Sequence, residues 1–138
     1  VVREILMVEP RARIEGDEQG STALHLAASN GHVQLAKELL KISYNACLLR
    51  DKEGRTPLHL AATRGSVEIM HEILSVQPNC VSALTRDRES VLHICVTNRQ
   101  LEAFQFLVEN HTVATLINSE DQMGNTVLHL AAYEKWPE

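Results

Sequence analysis

In Gly54-Arg55-Thr56-Pro57-Leu58-His59-Leu60-Ala61-Ala62-Thr63-Arg64-Gly65, a hydroxyl residue and a proline stand directly before a short apolar run, and a glycine follows it. A threonine hydroxyl can accept a backbone N–H at a helix start, and proline has a helix-ready φ with no N–H to leave unpaired at the first position. A helix is therefore expected to begin at Thr56-Pro57 and to run through Leu58, Ala61 and Ala62. Gly65 stands where a helix ends in a left-handed residue, and Gly54, five residues before His59, marks a tight turn.

Outward from this stretch the same pattern recurs. Thr22, Leu24, His25, Leu26, Ala27 and Ala28 return 34 positions later as Thr56, Leu58, His59, Leu60, Ala61 and Ala62. The frame continues through Ser90, Leu92, His93, Ile94, Cys95 and Val96, and then, 36 positions on, through Thr126, Leu128, His129, Leu130, Ala131 and Ala132. Self-similarity at such a period marks stacked supersecondary units. The turn glycine recurs as Gly20 and Gly124, with Arg88 in its place once, and the helix-ending glycine recurs as Gly31. A second apolar-periodic stretch follows each stop: Val33, Leu35, Ala36, Leu39 and Leu40, then Val67, Ile69, Met70, Ile73 and Leu74. Each unit is thus helix, tight turn, helix and loop, in an all-α chain. Small alanines on the first helix allow close approach while the second helix supplies bulk, so the stack is expected to curve. One such pair cannot bury its own apolar faces, so stability must come from neighbouring units.

The residues Gly54 to Ala62, with Gly65, resemble the ankyrin-repeat pattern almost position for position. That resemblance covers essentially the whole chain and implies an ankyrin-repeat solenoid of helix-turn-helix units with finger loops. More narrowly, Leu49-Arg50-Asp51-Lys52-Glu53-Gly54, the Arg86-Asp87 to His93 segment, and Gly124-Asn125-Thr126-Val127-Leu128-His129 resemble plant ankyrin proteins that carry a C-terminal membrane region, the PGG domain. The resemblance implies a cytosolic ankyrin domain on a membrane protein in defence, cell-death control or stress signalling.

Full units are expected at 17–50, 51–84 and 85–120, with partial repeats at 1–16 and 121–138. Glu4, Ile5, Leu6 and Val8 align with Glu38, Leu39, Leu40 and Ile42, so the first segment reads as a second helix and loop. Leu128, Leu130, Ala131 and Ala132 lack a covering second helix, so the natural chain is expected to continue. The third unit is expected to be the least regular: Arg88 and Arg99 replace glycines, and two extra residues fall within about 109–118. Asn98, which tolerates a left-handed backbone better than most residues, is the expected helix stop.

Composition narrows the function. The chain is 44% hydrophobic but only 4% aromatic, and its formal net charge is −5, which is the wrong sign for phosphate neutralisation, so nucleic acid is disfavoured as a partner. No apolar run approaches the length of a membrane helix, so this segment is not expected to contact a membrane itself. Cys47, Cys80 and Cys95 have no C-x-x-C spacing and read as reduced thiols of an intracellular, cytoplasmic protein. His25, His59, His93 and His129 form one column, but units about 10 Å apart cannot share an ion held at about 2 Å, so these rings are expected to bond backbone groups of neighbouring turns. His32, His71 and His111 are expected at the surface. Cys95 sits two residues from His93 on another helix face and at an alanine position, so it reads as a core thiol. With no hydrolase, nucleotide or metalloprotease motif, neither catalysis nor any cofactor is expected.

What remains is binding. Residues that vary between units are free to read a partner, and the family's concave face maps onto the finger tips and the exposed side of the first helices. The expected protein-binding residues are Lys52, Glu53, Arg55, Arg86, Asp87, Glu89, Gln122 and Asn125 on the tips, and Arg64 and Asn98 on first helices. Arg55, Arg64, Arg86 and Arg88 suggest a basic mid-groove suited to an acidic peptide or loop. The rival readings are a self-assembly or gating domain of a channel-like membrane protein, and a recruitment arm of a ubiquitin ligase or acyltransferase.

Overall fold

The computed structural model describes residues 17–42, 44–110 and 114–135, and these are all-α, with no strand among them. The expected partial repeat at 1–16, His111, part of the 109–118 insertion and the last three residues lie outside the described residues. Helices α1 (Ala23–Asn30) and α2 (Val33–Ile42) form the first pair, α3 (Pro57–Arg64) and α4 (Val67–Val76) the second, and α5 (Val91–Thr97) and α6 (Leu101–Asn110) the third. A short α7 (Ala114–Ile117) precedes α8 (Val127–Tyr133), and 3-10 helices at Tyr44–Leu48 and Pro78–Ser82 follow the first two pairs. The first helices stack in the order α1, α3, α5, α8, and the second helices in the order α2, α4, α6, with each pair also packed internally.

The core follows from the repeat. Leu24, Leu58 and Leu92 are buried between first helices beside the alanines Ala27, Ala28, Ala61 and Ala62, while Ile69, Met70, Ile73, Leu74 and Leu107 fill the space behind them. Cys95, at its alanine position, is fully buried, as expected. Burial depends on the neighbour: Leu128 repeats the position of Leu58 yet is 78% exposed. His32 and His71 are exposed, also as expected.

Helix ends carry the sequence signals in detail. Thr56 caps α3 by accepting the His59 N–H, with Pro57 beside it in the first turn, and Gly65 closes the helix at φ 80° with its N–H on the Ala61 and Ala62 carbonyls. Gly31 closes α1 in the same way at φ 73°. In the third unit Asn98 stops α5, as expected, but it is not the left-handed residue. Asn98 lies at φ −95°, and Arg99, at the position of Gly31 and Gly65, takes the left-handed conformation at φ 58°. The turn of the chain is set by the stacking frame, so whichever residue falls at that position must adopt it. Asn98 instead uses its amide to donate to the Ile94 carbonyl at 2.9 Å. Arg88 accepts the same constraint at the turn-glycine position, with φ 63°.

Candidate functional site

Each finger is built around one side chain that holds its turn. The Asp51 carboxylate accepts the backbone N–H groups of Glu53 and Arg55, both at 2.9 Å, and the Arg55 Nε at 2.9 Å. Asp17 and Asp121 hold the first and last fingers through equivalent pairs of backbone N–H groups. In the third finger Thr85 replaces the aspartate, and its hydroxyl accepts the Glu89 N–H at 3.1 Å. Burial alone would raise the Asp51 carboxyl, but the donors from Arg55 and Glu53 outweigh it and hold the group below its usual value.

Adjacent fingers are then joined through the main chain. Lys52 N donates to Gln19 O at 3.0 Å, Arg86 N to Glu53 O at 3.0 Å, and Gln122 N to Asp87 O at 2.8 Å. The fingers come so close that a Cβ on Gly54 would lie 2.7 Å from Arg86 N.

The histidine column locks fingers to helices. Backbone Thr56 N–H must donate, so His59 Nδ1, at 3.1 Å, is its acceptor and the ring proton sits on Nε2, which donates to Ala83 O at 3.1 Å. The Thr56 hydroxyl accepts the His59 N–H at 3.5 Å, which completes a reciprocal cap in which histidine takes the part glutamate or glutamine has in a capping box. His25 repeats this with Thr22 and Arg55 O, and His93 with Ser90 and Asn125 O. Both nitrogens of each ring are thereby engaged, which leaves no lone pair for a metal. Burial drives the His59 pKa down to about 4 and lowers that of His25 as well. His129 keeps the cap with Thr126 but is exposed.

On this frame the expected binding residues fall into two groups. Lys52, Glu53, Arg55 and Arg86 form one cluster across the second and third fingers: Arg86 Nη1 donates to Lys52 O at 3.0 Å, and Arg55 Nε lies 3.5 Å from a Glu53 carboxylate oxygen. Asp87 and Gln122 are joined through the main chain, and Asn125 offers its carbonyl to His93. Arg64 and Asn98 sit at the far ends of α3 and α5, and their hydrogen bonds run elsewhere, Arg64 Nη1 to Ser29 O at 3.5 Å and Asn98 into its own helix. Lys52, Glu53, Arg64, Arg86, Asp87, Asn98 and Gln122 are exposed, while Arg55, Glu89 and Asn125 are partly covered. Burial, and then the nearby Asp87 carboxylate, raise the Glu89 pKa.

Several arginines also tie one unit to another through carbonyls. Arg50 Nη1 donates to Leu84 O, and Arg99 Nη1 to Glu134 O at 2.6 Å. Sequence reasoning passed over Arg50 in this role, as it did Asp17, Asp51 and Asp121, although the recurrence of aspartate in the repeat frame was a visible signal.

A family profile described as ankyrin repeats (3 copies) matches residues 1–83 and again 64–136. The chain belongs to the ankyrin-repeat family. A search of curated proteins returned no match. Ankyrin repeats mediate protein–protein binding and are typically non-enzymatic scaffolds, and no helix among the described residues is long and apolar enough to cross a membrane.

Proposed function

We propose that this ankyrin segment holds a protein partner on its finger tips and on the exposed ends of its first helices, and performs no catalysis. The observation that carries the reading is the division of labour within each finger. Main-chain bonds, aspartates and buried histidines fix the frame, whereas Lys52, Glu53, Arg86, Asp87 and Gln122, which differ from unit to unit, are exposed on it. Function on a recurrent fold resides in such a variable surface.

The preferred partner is an acidic peptide or loop lying across units 51–84 and 85–120. Arg55 is already paired with Asp51, so the basic character of the face rests on Lys52, Arg64 and Arg86. The hydrogen bonds described commit one N–H each of Arg64 and Arg86, and a guanidinium has five to offer. The resemblance to plant PGG proteins supports a cytosolic location beneath a membrane and a part in defence or stress signalling. Exposure of Leu128, Met123 and Tyr133 at the last unit favours self-assembly as the second reading.

The test is affinity capture from plant extract on the parent chain and on a Lys52→Ala, Arg64→Ala, Arg86→Ala variant of unchanged circular dichroism. A partner held by the parent and weakened by about 1 kcal/mol or more per residue supports the acidic-segment reading. Equal retention by both removes the site, and recovery of this chain alone favours self-assembly.

A further inference from the structure

Two of the three cysteines meet at a seam between repeats. Cys47 lies in the 3-10 helix Tyr44–Leu48 and Cys80 in the 3-10 helix Pro78–Ser82, so the two belong to consecutive units. Cys80 Sγ donates to the Cys47 carbonyl oxygen at 3.5 Å, which brings the second thiol against the residue that carries the first. Both are buried and unbridged. Both lie on short 3-10 helices at the surface of the stack, where Asn45 and Leu48 on one, and Asn79 and Ser82 on the other, are exposed. Local opening of such short segments costs less than opening a helix pair. Cys95, by contrast, is enclosed in α5 within the stack of first helices, where burial pushes its thiol up to about 12.

We propose that Cys47 and Cys80 form an oxidant-responsive dithiol that a hydroperoxide converts into an inter-repeat disulfide. The hydrogen bond sets the order of events. Cys80 commits its S–H to the Cys47 carbonyl oxygen and is thereby held as the thiol, which leaves Cys47 as the first nucleophile. The Cys47 thiolate attacks a peroxide oxygen and the O–O bond breaks. The alkoxide or hydroxide that departs takes up the proton lost by Cys47, leaving a sulfenic acid. Cys80 then attacks the Cys47 sulfur, the S–S bond forms, and the expelled hydroxide leaves as water with the Cys80 proton. Two thiols and one hydroperoxide thus give one disulfide, one alcohol or water, and one further water, with two electrons passing from the sulfur pair to the peroxide. The product joins two units covalently where only packing and hydrogen bonds joined them before. That restricts any opening between units 17–50 and 51–84, which flank fingers one and two.

The experiment treats the folded chain with hydrogen peroxide near neutral pH, blocks remaining thiols with iodoacetamide, and maps peptides by mass spectrometry without reduction. A Cys47–Cys80 linked peptide that disappears on dithiothreitol treatment is expected from the parent and from Cys95→Ala, together with a higher thermal midpoint for the oxidised parent. Cys47→Ala and Cys80→Ala should give no link, and because the parent map alone is decisive, a folding defect in either variant leaves the answer intact. Three alkylated cysteines after peroxide treatment, oxidation of Cys95 in step with the other two, or links found only between chains would each overturn the proposal.

Discussion

Replacing His59 with alanine removes the Nδ1 acceptor of the Thr56 N–H together with the Nε2 donor to Ala83 O. Thr56 is 1% exposed, so its N–H has no route to water, and a stranded buried donor costs about 2 kcal/mol. Ala83 is partly exposed, and its carbonyl can recover some solvation, so its loss is nearer 1 kcal/mol. The cavity left by a fully buried ring adds about 2 kcal/mol. His59→Ala is therefore expected to destabilise the chain by about 5 kcal/mol. The same change at His129 removes an equivalent cap, but in an exposed setting where the freed Thr126 N–H meets water, so the expected loss is about 1 kcal/mol. Urea unfolding followed by circular dichroism at 222 nm, run on the parent and both variants, measures the pair. Losses within about 1 kcal/mol of one another would refute the claim that the column works by joining one unit to the next.

Acid should destabilise the chain before its carboxylates titrate. His59 is neutral in the folded state with a pKa of about 4, whereas the unfolded chain takes up that proton near 6.5, so its contribution is full above pH 6.5. It falls as pH drops towards 4, by about 3 kcal/mol in all, with His25 adding in the same direction, and equal urea midpoints at pH 7 and pH 4.5 would contradict this. Gly54→Ala combines a left-handed φ of 77° with a Cβ 2.7 Å from Arg86 N, and is expected to lose about 3 kcal/mol in the same unfolding assay. Arg88→Gly relieves a non-glycine φ of 63° and should raise stability by about 0.5–1 kcal/mol, read as a higher thermal midpoint.

Much of this was legible because it is local. Thr56 and Pro57 announce a helix start, Gly31 and Gly65 announce helix ends, and the spacing of His25, His59 and His93 fixes the stacking frame. Asn98 does stop α5, but the left-handed conformation expected of it falls on Arg99, because that position is set by the frame and not by intrinsic tolerance. The arginine groove was read from charge along the chain. The structure pairs Arg55 with the Asp51 of its own turn, and sends Arg64 and Arg86 to carbonyls of the preceding unit. Side-chain partners across 34 residues are three-dimensional facts with no signature in spacing alone. The reciprocal threonine–histidine cap lay between these cases. Both residues were visible, but histidine as the returning partner departs from the glutamate or glutamine that usually signals it.

The finger-to-finger bonds have a further consequence. Lys52 meets Gln19, Arg86 meets Glu53 and Gln122 meets Asp87 through backbone amide and carbonyl groups, and every residue except proline carries that pair. This backbone part of the joint is thus blind to the side chains of the residues that make it, whereas the close approach at Gly54 is not. The exposed tip side chains can therefore be rewritten while the backbone joint is kept, provided the turn glycine stays where a neighbour approaches it.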